Sequence, residues 1–205
     1  MKKMIWAVML VTAMAGQAAP QDLPDPEAVI QRFIEAVGGS QALEDRAGLG
    51  FEGVIIQDLT WTDPQHTETP FVAWAGLDGR VLYAEKANLE DLPGIDTGEP
   101  TGLLRFLMHP RFALMVQEFY PGLTQVTREV RDGRLVLVLG PGGENSWSHA
   151  LYFDEGTGLL SHVGYHHDLQ EWREAQGVLF PHAVVFGRKG GHTTYQFDKI
   201  CSHVR

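Results

Sequence analysis

The last third of the chain, from Leu151 to Ile200, reads LYFDEGTGLLSHVGYHHDLQEWREAQGVLFPHAVVFGRKGGHTTYQFDKI. Short apolar runs alternate there with Glu155-Gly156-Thr157-Gly158, Glu174-Ala175-Gln176-Gly177 and Lys189-Gly190-Gly191. Glycine-bearing punctuation between β-forming runs makes the chain reverse, so successive strands pair antiparallel in sequence order. A meander of this kind has an apolar face that something else must cover.

The same grammar recurs upstream. From Leu49 the period is two, with Leu49, Phe51 and Ile55 on one face and Glu52, Val54 and Ile56 on the other. Gly50 and Gly53 inside this run predict a bend, a bulge or the close approach of another segment. A polar turn at Asp63-Pro64 leads to a second strand centred on Phe71 to Ala75, and Asp78-Gly79 is a hairpin signal into Arg80 to Glu85. Thr124 to Arg131 and Arg134 to Leu139 form another hairpin around Asp132-Gly133, and residues 87–100 and 140–145 read as loops.

Two stretches have helical period instead. Asp25-Pro26-Glu27 supplies an N-cap, a first-turn proline and an acidic group at the positive end of the dipole. Val29, Ile30, Phe33, Ile34 and Val37 then form one apolar stripe, closed by Gly38-Gly39. Ser40 starts a second short turn or helix over Gln41 to Ala47. Leu103, Leu104, Phe106, Leu107 and Met108 are apolar nearly all round. After His109-Pro110, Phe112, Met115, Val116 and Phe119 resume at helical spacing. This insertion is the predicted lid over the sheet. The class is α+β: nine or ten strands in one large curved antiparallel sheet, with helices on one face.

Lys2 and Lys3, the apolar run Met4 to Met14, and small residues at Gly16 and Ala18 read as a signal peptide over residues 1–18. That leaves 19–205 as a single domain in an exported, periplasmic protein. The apolar run is about half of the roughly 20 residues that span a bilayer, so no permanent membrane anchor is expected. A net charge of -10 repels phosphate backbones, which argues against nucleic acid as a partner. The single cysteine, Cys201, rules out an intramolecular disulfide and a thiolate-rich metal site.

The helix ending EAVGG, then SQALED and LGFEGVII, resembles the start of exported proteins similar to the outer-membrane lipoprotein carriers, the LolA-like half-barrel superfamily. LYFDEGTGLL and WREAQGVLFPH resemble their second half. The resemblance spans residues 26–60 and 120–200. It implies a half-barrel whose concave face is closed by helices around an apolar cavity, which in the carrier holds lipoprotein acyl chains. No position here matches the carrier's functional arginine, so no functional residue carries over.

No nucleophile elbow, zinc-protease motif, phosphate-cradling loop or dinucleotide fingerprint occurs, and the chain reads as a non-catalytic binding protein without a cofactor. The apolar candidates are Phe51, Ile55, Trp74, Met108, Phe112, Met115, Phe119, Trp147, Phe153 and Phe186. Pliable methionines on a lid suit variable apolar cargo, and the partner expected is a lipid or other apolar small molecule. One alternative is a zinc or copper site in which neighbouring strands gather His162, His166 and His182 with Asp168. Another is a cavity-free scaffold that binds a second envelope protein.

Overall fold

In a computed structural model of the chain, residues 22–60, 65–85, 101–142 and 149–202 are described. The signal-peptide reading, the Asp63-Pro64 turn, the 87–100 loop and Trp147 lie outside them. Within the described residues, β1 (Gly48–Leu59), β2 (Gln65–Gly76) and β3 (Val81–Glu85) precede the insertion. After it come β4 (Leu123–Arg131), β5 (Arg134–Pro141), β6 (Leu151–Asp154) and β7 (Leu160–Val163). The closing strands are β8 (His167–Ala175), β9 (Val178–Arg188) and β10 (Gly191–Ser202).

All ten pair into one antiparallel sheet, ordered β3-β2-β1-β10-β9-β8-β7-β6-β5-β4. The expected meander is therefore present, and one long-range pairing, β1 against β10, joins its two halves. The sheet does not close: β3 and β4 are its edges. The hairpin residues behave as their chemistry requires. Asp132-Gly133 and Gln176-Gly177 all take positive φ, from 49° to 78°, the backbone a two-residue hairpin needs.

Helix α1 (Pro26–Ala36) starts where the cap predicts, Asp25 Oδ1 accepting from Ala28 N at 2.7 Å. Its end is fixed by close approach. A Cβ on Gly38 would stand 2.6 Å from Gly177 O, and Leu179 N donates to Val37 O at 2.8 Å. Only glycine lets the helix end sit on the β8–β9 turn. The helix's flank is held by Arg32, which donates to Glu155 O in the β6–β7 turn. Glu155 in turn accepts a bidentate pair from Arg128 of β4, at 2.6 and 2.9 Å. Helix α2 is shorter than the expected 41–47 segment and spans Ser40–Glu44.

The insertion folds as α3 (Gly102–Met108), a 3-10 turn (Phe112–Met115) and α4 (Val116–Phe119). Its apolar residues explain their own pattern: Leu103, Leu104, Phe106, Leu107 and Met108 are all buried. They join α1 and the inner rows of the sheet in one core, with Leu49, Phe51, Phe71, Leu137, Phe153, Val178 and Phe180 among its members. The helices thus cover the concave face of an open half-barrel.

Gly53 shows why the β1 run carries glycine. The β1–β10 register shifts between Glu52 and Gly53, and a Cβ there would lie 2.0 Å from Gln196 O and 2.9 Å from a Phe71 ring carbon. Neither backbone nor a packed ring yields easily. Gly53→Ala is therefore expected to lower stability by about 1–3 kcal/mol, read as a lower urea midpoint; an unchanged midpoint would refute this account of the bulge.

Candidate functional site

The inner face of the sheet is lined by aromatic rings in contact with one another. Phe33 of α1 lies 5.9 Å from Phe112, 5.3 Å from Phe153 and 6.1 Å from Trp172. Phe112 also lies 5.1 Å from Phe180, which stands 6.4 Å from Phe51. A single seam therefore joins the first helix, the lid and four strands. Edge-to-face and tilted rings at these separations hold by more than their buried area. The lid side adds Phe106, with Phe119 at 5.4 Å and Tyr120 at 5.3 Å.

Of the expected apolar residues, Phe51, Ile55, Met108, Phe112, Phe153 and Phe186 lie in this core. Phe119 packs against it half-buried, and Met115 is half-buried beside it in the 3-10 turn. Trp74 is a correction. It packs with Val72 and Ala84 on the opposite face of the sheet. The strand's inner row is Phe71, Ala73 and Ala75, an alternation in which position 74 points outward. Trp147 lies outside the described residues.

The sequence reading passed over Phe33, Trp172 and Phe180 as site residues. The signal for Phe180 was available, because it shares parity with Val178, Val184 and Phe186 on one strand. It also passed over Arg46, which nothing in the local pattern distinguishes. Arg46 is 7 % exposed, and its guanidinium carbon lies 5.0 Å from the centre of the Phe180 ring. Burial lowers its pKa from the ordinary value.

The histidine grouping does not form as expected. His162 does meet Asp168, Nε2 to Oδ1 at 3.3 Å, with Asp132 Oδ2 at 3.5 Å and Ser161 Oγ at 2.9 Å from Nδ1. However, His166 is not on that strand. β7 stops at Val163 and β8 starts at His167, so His166 sits in the turn with Gly164, whose φ is 59°. The register sets Asp168 opposite Val185, three positions from His182, an odd offset that sends the His182 side chain to the other face. His182 is buried instead against Phe197 O, at 2.7 Å from Nδ1. Among the described residues, no group of three His, Cys, Asp or Glu is placed to hold a metal ion. His162 and Asp168 line a groove of about 270 Å3 with Arg131, Asp132, Arg134 and Gln170 on the face turned away from the helices. Its mixed charges make it a poor site for apolar cargo.

A second histidine cluster lies at the far end of β1. His66, Asp58 and His192 stand in register across β2, β1 and β10. Asp58 takes His66 Nδ1 at 2.7 Å and His192 Nε2 at 3.1 Å. Donation of its ring N–H to Asp58, then to Glu68, raises the His66 pKa above 6.5. Burial, then Arg131, lowers that of His162 below 6.5. The linkage signs are opposite. His66 contributes stability that is present below the unfolded value and lost as pH rises through its raised folded value. His162 resists protonation when folded, so its contribution is present above 6.5 and lost as pH falls through its lowered folded value. In an NMR titration of ring nitrogens, His66 should titrate above and His162 below the ordinary value, and Asp58→Asn should return His66 toward it. Coincident titrations would contradict both environments.

No protein-family profile matches the chain, and no curated protein matches it in sequence. Solved structures do match in shape. One is a LolA superfamily protein from Nitrosomonas europaea, with TM-score 0.53 and 8% identity, over 89% of this chain and 96% of that one. Another is a DUF1329 family protein from Desulfovibrio piger, with TM-score 0.47 and 11% identity, over 88% and 95% of the two chains. A third is a putative outer membrane lipoprotein-sorting protein domain from Vibrio parahaemolyticus, with TM-score 0.47 and 10% identity, over 87% and 93%. The expected half-barrel is the fold observed: the chain has the α+β architecture of the LolA superfamily structure, an open antiparallel sheet with helices on its concave face.

Proposed function

We propose that this protein is an exported, non-catalytic carrier of the cell envelope. It holds a lipid, a lipoprotein acyl chain or another apolar ligand between the curved sheet and the helical lid. The observation that carries this reading is how the lid is held. Neither α3, the 3-10 turn nor α4 has a side-chain N-cap, and their attachment to the sheet is through apolar side chains. The polar ties among the described residues are few: Arg105 Nε to Gly79 O at 3.3 Å, Arg111 Nη2 to Glu44 O at 2.6 Å, and buried His109 to the Leu77 backbone. Apolar contacts are non-directional and can be exchanged for equivalent contacts with an acyl chain.

In the closed form, Phe112 and Met108 occupy the space that cargo takes. Entry moves the lid and replaces ring-on-ring contacts by ring-on-chain contacts, while α1 stays clamped by Arg32, Glu155 and Arg128. At about 25 cal/mol per Å2, burying a chain of ~16 carbons is worth several kcal/mol, enough for useful affinity with few polar contacts. The fold shared with the LolA superfamily structure supports the same reading. The signal-like residues 1–18 support export.

Native mass spectrometry of the protein purified from its host envelope tests this directly, and bound lipid mass is expected. Trp172 provides a second readout, since its ring stacks 6.3 Å from Phe112. Added palmitate should change the intrinsic fluorescence, and Trp172→Phe should remove most of that change. A cargo-free spectrum together with fluorescence indifferent to fatty acids would sink the proposal.

A further inference from the structure

Arg46 follows α2 and enters the aromatic seam from its rim. Its Nη2 donates to Ala175 O at 2.5 Å, at the end of β8, and to Gln176 O at 2.8 Å in the β8–β9 turn. Its Nε and Nη1 are buried with no hydrogen-bond partner, and among the described residues no carboxylate pairs with it. A guanidinium offers five N–H donors and keeps its charge at any physiological pH. Two carbonyls therefore leave most of its capacity unspent in a place where water is excluded.

Such an arrangement is costly unless an anion completes it, because a buried charge without a counter-ion loses its hydration and gains little in return. The Phe180 ring face beneath the guanidinium offsets part of that loss. Beside it, Arg46 lines a pocket of about 340 Å3 with Ala42, Asp45, Gly48, Gln176 and Ser202, at the low end of the roughly 300–1,000 Å3 typical of ligand sites; Asp45 Oδ1 there accepts from Gln41 and makes no pair with Arg46. That is room for a head group and the start of a chain. A second cation borders the same segment: Arg111 holds Glu44 O at 2.6 Å and likewise has a buried Nε without a partner.

From this placement we infer that the cargo is an anionic amphiphile, whose carboxylate or phosphate pairs with Arg46 while its chain lies along Phe180, Phe112 and Phe51. The inference rests on the apolar-cargo reading above and adds the chemistry of the head group. Charge-assisted, two-point recognition of an oxyanion is what a guanidinium fork does best. A neutral ester of the same chain would leave the donors unmet, so it binds more weakly even though its apolar area is equal.

The test compares three probes with one C16 chain: palmitate, palmitoyl lysophosphatidate and methyl palmitate. Each is titrated against the full protein by displacement of a fluorescent fatty-acid analogue at pH 8. The wild type should favour at least one of the anions over the ester by about 10-fold or more. Preference for palmitate points to free fatty acids, and preference for lysophosphatidate points to a phospholipid head group. Arg46→Gln should lose the preference for the anion over the ester, and Arg46→Lys should keep part of it. The wild-type comparison decides even where Arg46→Gln does not fold. Equal binding of acid and ester by the wild type overturns the inference and leaves the carrier reading intact, as does a preference that survives Arg46→Gln. Failure of all three probes to bind overturns both.

Discussion

The contact between Phe33 and Phe112 is the one on which the rest of the architecture depends. An open sheet with no second sheet against it exposes a whole apolar face, and one helix is too narrow to cover it. Phe33 brings α1 down on Phe153 and Trp172, and Phe112 brings the insertion down on Phe180. Where these two rings meet, at 5.9 Å, two separately encoded covers become one. Without that junction, the inner rows of β1, β6, β8 and β9 would face water together.

The two covers are not equivalent. α1 is built to stay, with a capped start, a glycine end lodged on the β8–β9 turn, and a flank tied through Arg32 to a bidentate Arg128–Glu155 pair. The insertion is built from short uncapped turns whose attachment is nearly all apolar. Breaking a directional hydrogen bond inside a core leaves an unmet polar group, whereas sliding one apolar surface over another leaves none. Directional anchors are thus concentrated on α1, and the segment between Gly102 and Phe119 is held mostly by apolar packing.

Much of this was legible in the chain. Hairpin chemistry at Asp78-Gly79, Asp132-Gly133 and Gln176-Gly177 dictated sequential pairing, and the all-round apolar character of Leu103 to Met108 announced a segment buried on every side. What could not be read was anything that depends on which face a residue takes after a break in the strand. His166 looks like a strand neighbour of His162 until Gly164 opens a turn between them. Trp74 belongs to the apolar set by composition alone, but Ala73 and Ala75 hold the inner row, where small residues leave room for the cover to approach. Arg46 gave no signal because a lone basic residue in a connecting segment is ordinarily solvated; only the β8–β9 turn, more than a hundred residues away in the chain, encloses it.

That enclosure bears on why the interior is filled at all. A cavity shaped for an acyl chain but left empty would forfeit packing around its whole lining, so a carrier without cargo must fill the space with its own side chains. Phe112 and Met108 can do so because rings and thioethers repack without polar cost. Arg46 cannot: among the described residues no lid carboxylate pairs with it, and its Nε and Nη1 are left without partners. The apolar interior is therefore satisfied by its own packing, and the charged rim is not. On the carrier reading proposed above, the unmet donors of Arg46 would give a bound anion the differential interaction needed to favour a loaded form.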